Sequence, residues 1–350
     1  MFRIPIFLLF LLLVNFLPTI VAHPLEASYN EKDSNGRCNQ ILQRKEWRAL
    51  DIAERKDYIN AVKCLQAIPV DDSSVPAAET LFDLFQGWHI HMATSVHYVG
   101  QFLMWHRYFL KLYESALRDK CDYKGAQPYW DWSLDTDEGR SIANSTIWDA
   151  ETGFGGGGVE GTYTPPEDPE TLANGRINPK AFVGCVQDGP FANLVLNMGP
   201  GTSVTKHCLT RHFNETTHKY LNHTAVEETM AYETFDDFHT QLEGKPSLPD
   251  HRQHDGGHIA IGGEMSNFFS SPGDPMFYMH HGNLDRLWRM WQLKGDKKRM
   301  WEVGGPTGLE ANSTTLTLSF TLDMNPALGP SVPVRDVMDT EMAPNCYVYL

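Results

Sequence analysis

Residues 87–114 read GWHIHMATSVHYVGQFLMWHRYFLKLYE and residues 254–263 read HDGGHIAIGG. The first stretch carries His89, His97 and His106; the second carries His254 and His258, and His281 follows in DPMFYMHHGNLDRLW at residues 274–288. Neutral imidazole suits copper, zinc, iron or nickel. Two sets of three histidines with no thiolate among them predict a paired metal site with open positions for a small ligand, a setting for oxygen or water chemistry.

Spacing says how each set could close on one ion. His254 and His258 are four apart, so a helix over residues 253–261 places both rings on one face. Such a pair is often a surface accident, but Gly256 and Gly257 bring backbone close to whatever the rings hold. His97 and His106 are nine apart, on opposite faces of a continuous helix at about 100° per residue. They share an ion only if the chain bends between them, and Gly100 is the expected place. His280 and His281 are adjacent and cannot both face one ion. His281 is assigned to the metal and His280 to a supporting position. Asp285, four beyond His281, is expected to orient a neighbouring ring, with Arg286 holding Asp285 or Asp274.

Outward from these stretches the pattern is mostly helical. Apolar residues recur at helical intervals over residues 38–68, 79–91 and from Trp105 towards Cys121, and a helix is expected from His280 or His281 through Trp291. Residues 316–322 alternate apolar and polar, as in a half-buried strand, which predicts a small sheet beside the helices. Gly155 to Gly158 and Pro165, Pro166 and Pro169 predict a long surface loop over residues 153–179, bordering the site or merely inserted. Apolar residues make up 41% of the 350, with 18 Phe, 13 Tyr and 9 Trp, enough for one packed core without a linker.

Met1 to Ala22 reads as a secretory signal peptide: an early Arg3, an apolar run, then small residues near Ala22. This leaves residues 23–350 as a single exported domain with no stable membrane association. In an oxidising compartment the six cysteines favour disulfides. Cys38 with Cys346 is preferred because chain ends often lie close, and the other pairings stay open. Sequons at Asn144, Asn214, Asn222 and Asn312 fit the same route and predict surface positions. A formal net charge of −15 argues against a nucleic-acid role, which needs clustered Lys and Arg. His207, His212, His218 and His223 share no helical face and read as solvated loop residues.

The two histidine stretches, together with PYWDW at 128–132 and DPMFYMHHGNLDRLW, resemble the tyrosinase and catechol oxidase family, the type-3 copper proteins, and most closely their short secreted fungal members. The resemblance runs from Cys38 to Leu350. It implies a mainly α fold, a four-helix bundle around a binuclear copper site, with long loops and the small peripheral sheet. Two copper ions would be held by His89, His97 and His106 and by His254, His258 and His281; His91 is set aside. The resemblance implies use of dioxygen to oxidise a small o-diphenol to an o-quinone, with monophenols and o-aminophenols as further candidate substrates. The closing Cys346-Tyr347-Val348-Tyr349-Leu350 resembles the tyrosine motif that ends the family's catalytic core, so no C-terminal shielding domain is expected.

Further roles follow from the resemblance alone. Glu243, in Leu242-Glu243-Gly244, matches a glutamate that helps hold a proton-accepting water in the family, and Asp255 stands where its partner asparagine would be. Losing the proton of a phenol with pKa near 10 costs roughly 4 kcal/mol at pH 7, so this departure ranks diphenol oxidation above monophenol hydroxylation. Phe268 resembles a bulky gate residue, Ile259 is expected at the mouth of the site, and Phe277 in its apolar wall. Ser95 replaces the cysteine that forms a thioether in some relatives, so no such crosslink forms. Three alternatives stand beside this reading. A hemocyanin-like oxygen carrier would block access to its site. A di-zinc hydrolase would need bridging carboxylates. A specialised oxidase tailoring a secondary metabolite would use the same chemistry. The sequence leaves the oligomeric state open.

Overall fold

The computed structural model describes residues 37–165, 184–245, 247, 248 and 250–350. The expected signal segment, Met1 to Ala22, and residues 166–179 of the expected loop lie outside the described residues. Among those described, seven helices of eight residues or more account for most of the regular structure.

Helix α1 spans Ile52–Leu65. Asp51 starts it, because its backbone is extended and its side chain exchanges hydrogen bonds with Glu54 across the first turn. The helical pattern over 38–68 is therefore cut: Leu42–Arg44 form strand β1, and Trp47–Ala49 a single 3-10 turn capped by Glu46. Thr80 and Asp83 cap α2 (Leu81–Val96) in the same way. Helix α3 (Phe102–Cys121) begins earlier than Trp105 and ends on left-handed Asp122. Helices α4 (His223–Met230) and α5 (Phe235–Glu243) follow, capped by Asn222 and Thr234. Helix α6 covers Gln253–Ile261 as expected. Helix α7 (Met276–Lys294) starts after Pro275, ahead of His280, because proline is tolerated at a helix start.

The helices that carry the histidines, α2, α3, α6 and α7, surround an aromatic core. Trp105 stacks on Phe109 at 4.8 Å, and Phe109 meets Phe85, Phe277 and Tyr278. No helix among the described residues is long and apolar enough to cross a membrane.

Strands are short and peripheral. Strand β1 pairs in parallel with the last strand, Tyr347–Tyr349, in the register Leu42 to Tyr347. Among the described residues, three antiparallel pairs join Gly158–Glu160 to Gly184–Val186, Val195–Leu196 to His207–Cys208, and Thr321–Leu322 to Val332–Pro333. The strand expected over 316–322 is thus reduced to its last two residues. The alternation there records burial, since Leu316 and Leu322 are buried, but residues 317–320 make a turn rather than a ladder. The expected surface loop is also corrected at its start: Phe154 is fully buried against Trp47, and Gly158 enters a strand.

Three disulfides hold the chain: Cys38 to Cys346, as preferred from the sequence, Cys64 to Cys121 and Cys185 to Cys208. The second ties the end of α1 to the end of α3.

Candidate metal centre

Each histidine set is gathered by two elements. His89 lies in α2, His97 at its last cap, and His106 in the second turn of α3. His254 and His258 come from successive turns of α6 and His281 from α7. In each set one ring nitrogen per residue lies within 4.8 Å of those of the other two, and all six side chains are buried. The sets face each other, with His106 stacked on His281 at 4.5 Å and His97 on His254 at 5.6 Å. The chain does bend between His97 and His106, but Tyr98 (φ 59) makes the left-handed turn rather than the expected Gly100.

Backbone carbonyls fix four of the rings. Nδ1 of His89 donates to Phe269 O at 2.7 Å, that of His97 to Ala93 O at 2.8 Å, that of His106 to Phe102 O at 2.8 Å and that of His258 to Met265 O at 2.7 Å. With Nδ1 carrying the proton, Nε2 keeps its lone pair for a metal. Nε2 of His89 and of His106 and both ring nitrogens of His254 are buried without a hydrogen-bond partner. Each such atom costs about 1–3 kcal/mol if left unmet. Nε2 of His258 and of His281 converge to 3.1 Å. Burial holds the rings neutral, lowering His97 to about 4 and His258 to about 3. Neutral, convergent nitrogens without carboxylates fit two nitrogen-ligated ions such as copper.

His280 lies behind the second set. Its Nδ1 accepts from the indole of Trp132 at 3.0 Å and its Nε2 donates to the carbonyl of His254 at 3.0 Å. Asp285 does not orient a histidine. Its carboxylate is taken by Arg107 at 2.5 Å, Arg44 at 3.4 Å and the hydroxyls of Tyr347 and Tyr349 at 2.5 and 2.6 Å. Those partners come from distant segments, which four-residue spacing along α7 cannot reveal. Arg286 pairs with Asp131, and Asp274 with Arg211.

A cavity of about 460 Å³ opens onto His97, His254 and His258. Phe268, Ile259 and Asp255 line it, as do Tyr98, Asn267 and Leu309, which the sequence did not single out. Phe268 lies 4.7 Å from the ring of His97 and stacks on Tyr98 at 5.9 Å. Phe277 sits deeper, 5.1 Å from His89 and 4.1 Å from His281. Glu243 is buried outside the cavity lining, with Oε1 accepting from the N–H of Tyr98 at 2.6 Å and Oε2 facing His239 Nε2 at 2.7 Å. Burial raises its carboxyl above the ordinary range, against the hydrogen bond from His239. Asp255 is occupied too: it accepts from Arg252 N at 2.6 Å and pairs with His251 at 2.5 Å.

Among the remaining histidines, His207 is not solvated. It is buried on strand residues His207–Cys208 and its Nε2 meets buried Glu264 at 3.2 Å. His91 is exposed and stacks on Trp88. Asn144 and Asn312 are exposed, whereas Asn214 and Asn222 are half-buried because their side chains cap helices.

Residues 79–294, more than half of the chain, match the profile described as the common central domain of tyrosinase. The chain belongs to the tyrosinase family. Tyrosinase P of Aspergillus terreus is 33% identical over 336 residues, covering 89% of this chain and 93% of that protein. N-acetyl-6-hydroxytryptophan oxidase ivoB of Emericella nidulans is 31% identical over 351 residues, covering 89% and 94%. A solved polyphenol oxidase from Thermothelomyces thermophila superimposes with a TM-score of 0.75 at 32% identity, covering 89% of each chain. Family and fold together make this tyrosinase-family member a copper oxidoreductase, with phenolic substrates and dioxygen as the family's reactants.

Proposed function

We propose that two copper ions, one on each histidine set, serve an oxidase that converts small o-diphenols to o-quinones, dioxygen being reduced to water. The observation that carries this reading is the convergence of buried, unpartnered imidazole nitrogens on two points beside an open cavity. When bound, the copper pair supplies the binding of dioxygen and the acceptance of two electrons from the diphenol. The chain supplies the rest. Carbonyl contacts hold four rings in the tautomer that ligates, Phe277 keeps the space between the sets apolar, and Phe268 and Ile259 flank a substrate ring entering over His97 and His258. The open cavity argues for turnover rather than oxygen carriage.

Diphenol oxidation ranks above monophenol hydroxylation. A monophenol must give up its proton at a cost of roughly 4 kcal/mol at pH 7. Both candidate acceptors are already engaged, Glu243 by Tyr98 and His239, and Asp255 by Arg252 and His251. The copper-loaded enzyme, assayed for oxygen uptake and quinone absorbance, should turn over catechol at least about tenfold faster than phenol or tyramine, equivalent to about 1.4 kcal/mol. Equal rates would refute the ranking, and no oxygen uptake with either would refute the oxidase itself.

Similarity to the Emericella oxidase, named for a hydroxylated tryptophan, supports a second reading, in which the natural substrate is a hydroxyarene tailored in secondary metabolism. The signal-like Met1 to Ala22 and the three disulfides support export, with Asn144 and Asn312 as the most accessible glycan acceptors. Peptide mass mapping of the secreted protein tests both points.

A further inference from the structure

The turn between α2 and α3 decides whether the first histidine set exists. His97 leaves α2 with an extended backbone, Tyr98 turns left-handed at φ 59, and α3 resumes at Phe102. Side chains other than glycine rarely adopt that conformation, which persists only when its surroundings impose it. Two residues one turn apart on α5 meet this bend at both ends. Glu243 accepts the N–H of Tyr98 at 2.6 Å, and His239, held to the other carboxylate oxygen at 2.7 Å, lies parallel to the ring of Phe102 at 5.8 Å. Phe102 in turn packs on His97, His106 and His254. The Tyr98 ring reaches the cavity mouth and stacks on Phe268.

We infer that Glu243 is a positioning residue: its carboxylate clamps the left-handed turn at Tyr98, and so sets His97 against the first metal and the Tyr98–Phe268 stack at the cavity mouth. This rests on reading the histidine sets as two copper sites. It assigns Glu243 a part distinct from handling the substrate's proton. Its carboxylate lies outside the cavity lining, and each oxygen already has a partner. What the clamp needs is an acceptor for the Tyr98 N–H, not a negative charge. The amide of glutamine supplies that acceptor and can donate to His239.

Copper per chain after loading and dialysis, with KM and kcat for catechol, tests this on the full-length protein. Wild type and Glu243→Gln should retain two coppers, with catechol KM values within about twofold of each other. Glu243→Ala should retain one firmly, the other weakening by about tenfold or more. Adding Tyr98→Gly to Glu243→Ala should restore the second copper, because glycine takes positive φ unaided. KM should stay raised there, because the stack on Phe268 is gone. Glu243→Ala holding two coppers at an unchanged KM, or Glu243→Gln losing copper like Glu243→Ala, would overturn the clamp. If Glu243→Ala alone does not fold, the double variant decides: two coppers support the clamp and fewer refute it. Fewer than two coppers in wild type would instead remove the copper reading on which the clamp rests.

Discussion

Gly257 has no side chain because the ring of His280 occupies the place of one: a Cβ there would stand 2.2 Å from His280 Cε1. Substituting Gly257→Ala should push His280 from the His254 carbonyl it supports. The expected cost is about 1–3 kcal/mol of stability from overpacking, read by urea denaturation. Copper affinity should fall about 10–100-fold, read by chelator competition, because a contact that orients a ligand is lost. At this scale the sequence was legible wherever covalent geometry alone decides. Adjacency on a helix is enough to say that His280 and His281 cannot both face one ion. Asp285 was not legible in this way, because its partners Arg44, Arg107, Tyr347 and Tyr349 arrive from β1, α3 and the last strand. Nor does anything in the local sequence announce that Tyr98, not Gly100, takes the positive φ.

Elements whose ends carry their own chemistry were readable, as α6 was between Gln253 and Ile261. Elements that depend on distant pairing were not. The alternation over 316–322 predicts a strand, but only Thr321 and Leu322 find a ladder partner. His207 belongs to the same class, since its two-residue strand is held by pairing to Val195–Leu196 and by the buried carboxylate of Glu264. Burial lowers the His207 pKa, but the hydrogen bond and charge of Glu264 outweigh it and leave the value raised. A raised folded value means that the pair stabilises most below the unfolded pKa of about 6.5 and loses that contribution as pH rises through the folded value. Thermal midpoints should therefore decline across that window in wild type. In His207→Gln the decline should be shallower; an identical pH profile would refute the assignment.

The whole molecule follows the expected plan, a mainly helical body with the histidine-bearing helices inside and short strands at the edge. That much was legible because buried helices and clustered histidines both leave periodic traces. Disulfide pairing leaves none, so only the link between the chain ends could be anticipated. Breaking Cys64 to Cys121, which joins α1 to α3 across a separation of 57 residues, should cost about 2–4 kcal/mol and lower the thermal midpoint. Calorimetry of a Cys64→Ser, Cys121→Ser double variant checks this.

Met265 and Phe269 lie on one short stretch of backbone, yet their carbonyls hold His258 of one set and His89 of the other. On the proposed two-copper reading, whichever ion arrived first would stiffen a segment that the second also needs, so the later arrival would find its seat already made. Cuprous titration of the metal-free protein should accordingly be steeper than two independent sites allow, with a half-loaded species too sparse to isolate.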